Sequence, residues 1–379
     1  MDPRETVIIG GGIAGLACGR RLCDAGAPFT LVTERVGGRI RRSRDGAVNL
    51  GAYYVMGDYR HVGRYVRRGR QLSALRSRVH VGSGSYTGWS WRAVRTLRQS
   101  RRFGRLLREF REHYEAFKTA CETRSQAQAI RADPFLRGLY RAPASELVAE
   151  CRIADFVEHF AAPGLHGSTF LPLSRLSGFV LLQFTLPMIV PIHEFEFQQA
   201  ELIRGFEAAI RTGSVTRIDR DGDRHRVELE GGEVLWARNL VVATPIDTSR
   251  ELLGLGRVKQ PVRAHMFQIA GTLRAPWQRE PIQLFSQDDP TLAIARQENG
   301  SVLFCSRHEK PDFERFFEEH RVVEHHYWNP AFNLEGDALL ECEQGENRYL
   351  IGDGNVCGLE DSFITGLYAA NRILKHGRD

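Results

Sequence analysis

Three short stretches carry the residues best suited to chemistry. Gly10-Gly11-Gly12-Ile13-Ala14-Gly15 has G-x-G-x-x-G spacing and directly follows the apolar run TVII at 6–9. Glu34 closes the run FTLVT at 29–33, and Gly37-Gly38-Arg39 comes three residues later. Far along the chain, Gly352-Asp353-Gly354 follows RYLI at 348–351. Glycines at the first spacing permit a tight turn, a close backbone approach to pyrophosphate and close helix–strand packing. The helix N-terminus beyond them offers free N–H groups to an anion. An acid after the second strand suits a ribose, and the following GGR suits phosphate. Asp353, at a strand end just before a helix, suits a polyol or ribose. The competing reading of 34–39 is a plain turn between surface elements.

Elements that could hold these residues are visible in the pattern. TVII reads as a buried strand, Leu16–Ala25 as a helix and Phe29–Thr33 as the next strand, which is βαβ spacing. Residues 60–160 read as mostly helical, with Phe103, Leu106, Leu107, Phe110, Tyr114 and Phe117 at three- and four-residue steps. Gly82–Trp91 (GSGSYTGWSW) reads as a loop, and Gly231-Gly232 as a hairpin turn between Val227–Glu230 and Val234–Ala237. Leu240–Ala243 is a further buried strand, an alternating section covers 262–306, and Pro311–His320 has helical character. Arg348–Ile351 and Asp361–Leu374 supply a closing strand and helix.

Bulk properties narrow the function. At 379 residues, 42% apolar and 26% charged, the chain is long enough for two globular domains. The most apolar stretch, Phe179–Ile192, is too short for a membrane span and contains Pro187 and Pro191. No basic segment precedes the first apolar run, so a signal peptide is not expected. Seven scattered cysteines without a C-x-x-C pair suggest reduced thiols and a cytoplasmic protein. No metal is expected; His325 and His326 would point to opposite faces of a strand. The net charge of +6 hides a strong asymmetry. Residues 58–118 hold 15 arginines and one lysine against Asp58, Glu109, Glu112 and Glu115. That excess allows peripheral contact with an anionic membrane surface, whereas a nucleic-acid partner is not expected. Arginine predominates throughout, however, with only four lysines among 52 basic residues.

Together, VIIGGGIAGL, RVGGRI, Gly51-Ala52, LVVATP at 240–245 and IGDG…GLEDSFITGLYAANRIL resemble the FAD-dependent amine oxidase and phytoene desaturase superfamily. The resemblance is dense in the first 55 and last 35 residues and faint across much of the middle. It implies an α/β fold: a Rossmann-like FAD/NAD(P)-binding domain assembled from 1–58, 196–254 and 341–379. An α+β substrate domain would come from 59–195 and 255–340. It further implies non-covalent FAD, with Gly10, Gly12, Ala14 and Gly15 at the pyrophosphate and Gly38 and Arg39 close to it. Gly51 and Ala52 would follow in the same site. Val215 would hold the adenine through its backbone, and Gly352-Asp353 would meet the ribitol or phosphate. The helix beginning near Asp361, with Ser362 in its first turn, would aim its N-terminus at the flavin pyrimidine. The chain departs from the family in having two residues, not five, between Glu34 and the glycine pair, so Glu34 and Thr33 compete for the ribose. Gln198-Gln199 also replaces a glycine pair.

For the chemistry, the family's amine oxidases often carry a lysine on the strand that here is Ala264–Leu273, before Pro276-Trp277. This chain has none there, and Lys259 lies beyond Pro261. His265, Tyr53 and Tyr327 are the weak catalytic candidates. The expected function is therefore FAD-dependent hydride removal from a small organic, apolar substrate in a desaturase-like reaction. The alternatives are amine oxidation, an NAD(P)-dependent dehydrogenase, and flavin binding without turnover.

Overall fold

The computed structural model describes residues 6–73, 76–82 and 84–376. A five-stranded parallel sheet organises one half of the molecule. Its strands are β1 (Thr6–Ile9), β2 (Phe29–Thr33), β3 (Ile210–Thr212), β4 (Asn239–Val242) and β5 (Arg348–Leu350). The spatial order is β5-β4-β1-β2-β3. β1 is central, pairing Thr6–Ile9 with Asn239–Val242 on one side and Phe29–Val32 on the other. Val7, Ile8, Leu31, Leu240 and Val241 are fully buried, as expected of parallel strands covered on both faces. The helix Ile13–Asp24 covers one face and crosses the last helix, Leu359–His376, closely. A Cβ at Gly366 would lie 2.2 Å from the Ala14 carbonyl oxygen, so only glycine permits that crossing. Val215–Asp221, Arg224–Leu229 and Val234–Ala237 form a separate antiparallel meander on this half. The fold is α/β, as the sequence implied.

A seven-stranded sheet dominates the other half. In spatial order it contains Phe317–Glu335, Gln260–Leu273, Val302–Ser306, Thr291–Arg296, Ile282–Phe285, Ser77–Val81 and Gly84–Thr87. Helices between Trp91 and Thr185 pack against it and enclose the largest apolar core. Phe103, Leu107, Phe110, Tyr114 and Phe117 form the buried stripe of the helix Leu97–Ala120. Phe179–Ile192 is a buried helix, Gly178–Thr185, followed by a short 3₁₀ turn. No helix among the described residues is long and apolar enough to cross a membrane.

Three segments depart from the local pattern because distant partners override it. Within 60–160, Val66–Leu72 is a strand that pairs antiparallel with Ile192–Phe197. Gly84–Thr87, expected in a loop, is a strand hairpinned onto Ser77–Val81; Ser83 in that stretch lies outside the described residues. Pro311–His320 is not helical. A tight turn at Pro311–Phe316 leads into Phe317–Glu335, which runs beside Gln260–Leu273 with Leu273 opposite Phe317 and Gly271 opposite His320.

Candidate functional site

The glycine loop after β1 and the GGR turn after β2 are built against each other. The Gly37 N–H donates to the Gly11 carbonyl at 2.8 Å, and the Gly11 N–H donates to the Thr33 hydroxyl at 3.0 Å. Thr33 passes its own proton to the Arg35 carbonyl at 2.9 Å. The Thr33 side chain is therefore buried and committed to holding the loop. Glu34, one residue on, is exposed and accepts from the Ser214 hydroxyl at 2.8 Å. Ser214 immediately precedes Val215, and the Gly213 N–H donates to the Thr33 carbonyl at 3.0 Å. Glu34 and the start of the Val215 strand thus stand together at the end of β2.

Steric room at the glycines separates two roles. A Cβ at Gly15 would fall 2.0 Å from the Gly10 carbonyl oxygen, and one at Gly38 would fall 2.8 Å from the Gly12 Cα. These positions are glycine because the protein's own backbone fills the space. Gly12 differs: a Cβ there would meet nothing within 4 Å. It is the N-cap of the helix Ile13–Asp24, with no side-chain cap and no acid in the first turn. The N–H groups at this helix end have no side-chain cap and suit an anion.

Arg39 connects this corner to the far end of the chain. Its guanidinium donates to Asp353 Oδ1 at 2.6 Å and to the Ala331 carbonyl at 3.1 Å. The Arg39 carbonyl accepts the Ala52 N–H at 3.1 Å, and a Cβ at Gly51 would collide with that oxygen at 1.9 Å. Asp353 is buried, and its Oδ2 has no hydrogen-bond partner. Burial alone would raise its pKa; the adjacent Arg39 charge and hydrogen bond outweigh that and hold the carboxyl below its ordinary value. A buried carboxylate oxygen without a donor is costly, and a polyol hydroxyl would satisfy it. The preceding Gly352 N–H is held by the Thr365 hydroxyl at 2.9 Å, which ties this turn to the last helix.

Acids occupy the first turn of the last helix, but both are bound to protein. Glu360 accepts the N–H groups of Arg60, His61 and Val62 at 2.8, 2.8 and 2.9 Å. Asp361 is buried and accepts the Tyr114 hydroxyl at 2.6 Å. Gln183 donates to that hydroxyl at 2.9 Å and to the Cys357 carbonyl at 2.6 Å. Ser362 is buried in the same turn, its N–H bonded to the Gly358 carbonyl at 3.0 Å. Burial pushes the Asp361 carboxyl up to about 7, against the opposing Lys118 charge and Tyr114 hydrogen bond. The folded state therefore binds a proton that the unfolded chain releases near pH 4. Stability should fall as pH rises from about 4 to about 7 and level off above that. Asp361→Asn keeps an acceptor for Tyr114. It should remove this slope and stabilise the protein at pH 8 by about 2 to 4 kcal/mol, read from melting curves across pH.

The three catalytic candidates divide. Tyr53 and Tyr54 directly follow Ala52 and pack edge to face at 6.4 Å between centroids. Burial pushes the Tyr54 hydroxyl up to about 12, with nearby Cys357 adding to the shift. Phe332, next to Ala331, packs against Phe170 and Phe184 at 5.5 and 6.1 Å. Tyr53 and Phe332 adjoin in sequence Ala52 and Ala331, whose backbone groups bond Arg39. His265 and Tyr327 lie elsewhere. They stack on each other at 4.5 Å, and His265 Nδ1 is 2.9 Å from His325 Nε2 on an exposed part of the sheet. On the same strand, Ala264 and Met266 face the main core, so alternation sends His265 to the other side. Gln268 also faces inward and donates to Asp45 at 2.7 Å.

Sequence reasoning passed over Lys259. It is buried, donates to the Asn355 carbonyl at 2.6 Å and lies over the Tyr140 ring at 4.5 Å. Burial lowers its pKa to about 8. Nothing in its flanking residues indicates this, because Tyr140 and Asn355 reach it only through the fold. The described residues contain no group of three or more His, Cys, Asp or Glu side chains able to hold a metal ion.

Comparison with known proteins places this geometry. A redesigned putrescine oxidase superposes over 98% of this chain and 99% of its own, with a TM-score of 0.71 at 15% identity. Wild-type putrescine oxidase bound to putrescine gives a TM-score of 0.70 at 15% identity over 98% and 99% of the two chains. At that identity the likeness shows the fold. L-amino acid oxidase Cdc18 of Crotalus durissus cumanensis is 40% identical over 77 residues, which are 19% of this chain and 16% of that protein. Bordonein-L, an L-amino acid oxidase of Crotalus durissus terrificus, is 40% identical over 77 residues, 19% of this chain and 15% of its own. The match thus spans under a fifth of either relative's length. The sequence profile described as flavin containing amine oxidoreductase covers residues 13–288, well over half of the chain. The open Gly12 cradle, the Arg39–Asp353 pair and this profile converge: the chain belongs to the flavin-containing amine oxidoreductases.

Proposed function

We propose that the chain is an FAD-dependent oxidoreductase that removes hydride from a carbon of a small, largely apolar organic substrate. The observation that carries this reading is the buried Asp353 carboxylate, paired with Arg39 through one oxygen and bare at the other, beside a glycine loop open at Gly12. The residues present fit FAD. Gly12 and the N–H groups after it would take the pyrophosphate, Arg39 would add charge beside it, and Asp353 Oδ2 would accept a ribityl hydroxyl. Glu34, with Thr33 already committed, would meet the adenine ribose beside Val215. FAD, when bound, supplies the hydride acceptor.

The chain's own contribution at the reacting end would be an apolar wall. Tyr53, Tyr54 and Phe332 would orient a flat substrate and exclude water. The inward polar residue on the Gln260–Leu273 strand is Gln268, bonded to Asp45, and Lys259 is tied to Asn355. The Gln268 amide is not a base, and the Lys259 amine is held at the Asn355 carbonyl, which supports chemistry needing little acid–base help. A second reading, oxidation of an amine or amino acid, is favoured by the putrescine oxidase fold match and the L-amino acid oxidase identity.

Anaerobic titration of the flavin-loaded protein separates the two readings. Bleaching of the flavin bands by a polyene but not by putrescine or L-leucine is the expected result. Rapid bleaching by either nitrogen compound would replace the first reading with the second. A colourless protein that cannot be reconstituted with FAD would sink both.

A further inference from the structure

Between Asp58 and Glu109 the chain has no carboxylate at all. The C-terminal part of that interval also carries most of the exposed apolar surface. Of the eight large hydrophobic residues exposed among the described residues, five fall within 81–97: Val81, Trp89, Trp91, Val94 and Leu97. Trp89 is 83% exposed and Trp91 74%, far beyond what a residue of that size shows without a partner.

Trp89, Trp91, Val94 and Leu97 fall on one stretch of chain, and Val81 stands at the turn of the preceding hairpin. Ser90 leads into the short helix Trp91–Arg95, and the buried Thr96 turns the chain, its hydroxyl bonded to the Arg92 carbonyl at 2.9 Å. The helix Leu97–Ala120 follows. Its core stripe is Phe103, Leu107, Phe110, Tyr114 and Phe117. Arg98, Arg101, Arg105 and Arg108 recur at three- and four-residue steps on the opposite side. The patch is fastened to the body: Arg92 lies 4.9 Å over the Tyr86 ring, and the Tyr86 hydroxyl donates to the His159 carbonyl at 2.9 Å.

The arginines are also unneutralised. Ion pairing on the long helix begins only at Arg111, with Asp58, and continues at Lys118, with Glu115. Among the described residues, Arg92, Arg95, Arg98, Arg101, Arg105 and Arg108 make no ion pair. Elsewhere arginines are commonly paired, as in Arg39–Asp353, Arg41–Glu324 and Arg70–Glu194.

We infer that this face docks on an anionic lipid bilayer. Trp89 and Trp91 would sit at headgroup depth, Val81, Val94 and Leu97 would enter the acyl boundary, and the arginine stripe would pair with lipid phosphates. Indole rings favour the membrane–water interface, and guanidinium groups bind phosphate in bidentate fashion. The aliphatic members favour lipid over nucleic acid, since Val81, Val94 and Leu97 offer no ring on which a base could stack.

Co-sedimentation of the purified full chain with vesicles tests this directly. Binding is expected to vesicles of phosphatidylcholine mixed with phosphatidylglycerol, and not to phosphatidylcholine alone. The W89S/W91S variant and the R98Q/R101Q/R105Q variant should each weaken binding by about tenfold or more while melting at the wild-type temperature. The substituted side chains are exposed, so both variants should fold. Three results would overturn the inference: no association with the anionic vesicles, binding that neither variant weakens, or an oligonucleotide that displaces the vesicles and holds the protein more tightly.

Discussion

Gly12→Val should fold normally and purify without flavin, whereas Gly15→Val should fail to fold. Both residues belong to one motif, and a reading from the motif alone gives them the same fate. Their surroundings differ. At Gly15 the added Cβ would sit 2.0 Å from the Gly10 carbonyl oxygen, so the first helix and β1 would have to separate. Overpacking against backbone at a buried site costs on the order of 3 kcal/mol or more, a large share of a domain's stability. At Gly12 no protein atom lies within 4 Å of the added Cβ, so the folded protein has no reason to object. The isopropyl group would instead occupy the space assigned to pyrophosphate. Flavin absorbance per protein and a melting curve on each variant check both halves. A flavin-loaded Gly12→Val protein would remove the pyrophosphate from this loop.

The second large effect concerns Arg39 and Asp353. Asp353→Ala should lose flavin and destabilise the flavin-free protein by about 2 kcal/mol, between the values for exposed and buried pairs. Arg39→Met should be worse, by about 3 to 5 kcal/mol, because the partner left behind is the more buried one. Asp353 has a side-chain exposure of 7% and Arg39 32%, so the arginine retains some solvent when abandoned and the aspartate does not. The pair's contribution also has a defined pH dependence. The carboxyl pKa is lowered in the folded state, so the stabilisation is present above about pH 4 and is lost as pH falls through the folded value. Urea unfolding of the flavin-free variants gives the order. Equal losses for the two would show that the pair is effectively solvent-exposed.

The half built on the parallel sheet is largely readable from the sequence, for a physical reason. Strands β1, β2, β4 and β5 are buried on both faces and hence appear as apolar runs with glycine turns at their ends. Their signal is local. By contrast, Val66–Leu72 is a strand only because Ile192–Phe197 lies beside it, and Phe317–Glu335 only because Gln260–Leu273 does. The segment PDFERFFEEH has the spacing of an amphipathic helix and loses to that pairing.

The candidate site divides in the same way. Glycines, Arg39 and Asp353 carry recognisable spacing. The contest between Thr33 and Glu34 could not be decided by counting, because it turns on the Thr33 hydroxyl meeting the Gly11 N–H, a contact across the sheet. His265 is singled out by its strand and its titratable ring, and pleat alternation puts it on the exposed face beside His325, away from the core face of Ala264 and Met266. Lys259 and the Asp361–Tyr114–Gln183 chain have no sequence signature, since their partners are far away in the chain.

The central position of β1 also constrains how the protein is made. β1 must wait for β4 at 239–242, and the sheet closes only when β5 at 348–350 has left the ribosome. At about 5 to 20 residues per second, that is a delay of roughly 20 to 70 seconds. Throughout it the glycine loop exists but Arg39 has no Asp353, so a nascent chain cannot complete the corner that would hold the cofactor. On the proposed site, cofactor loading would wait until Asp353 reaches Arg39, so flavin supply would act late in folding.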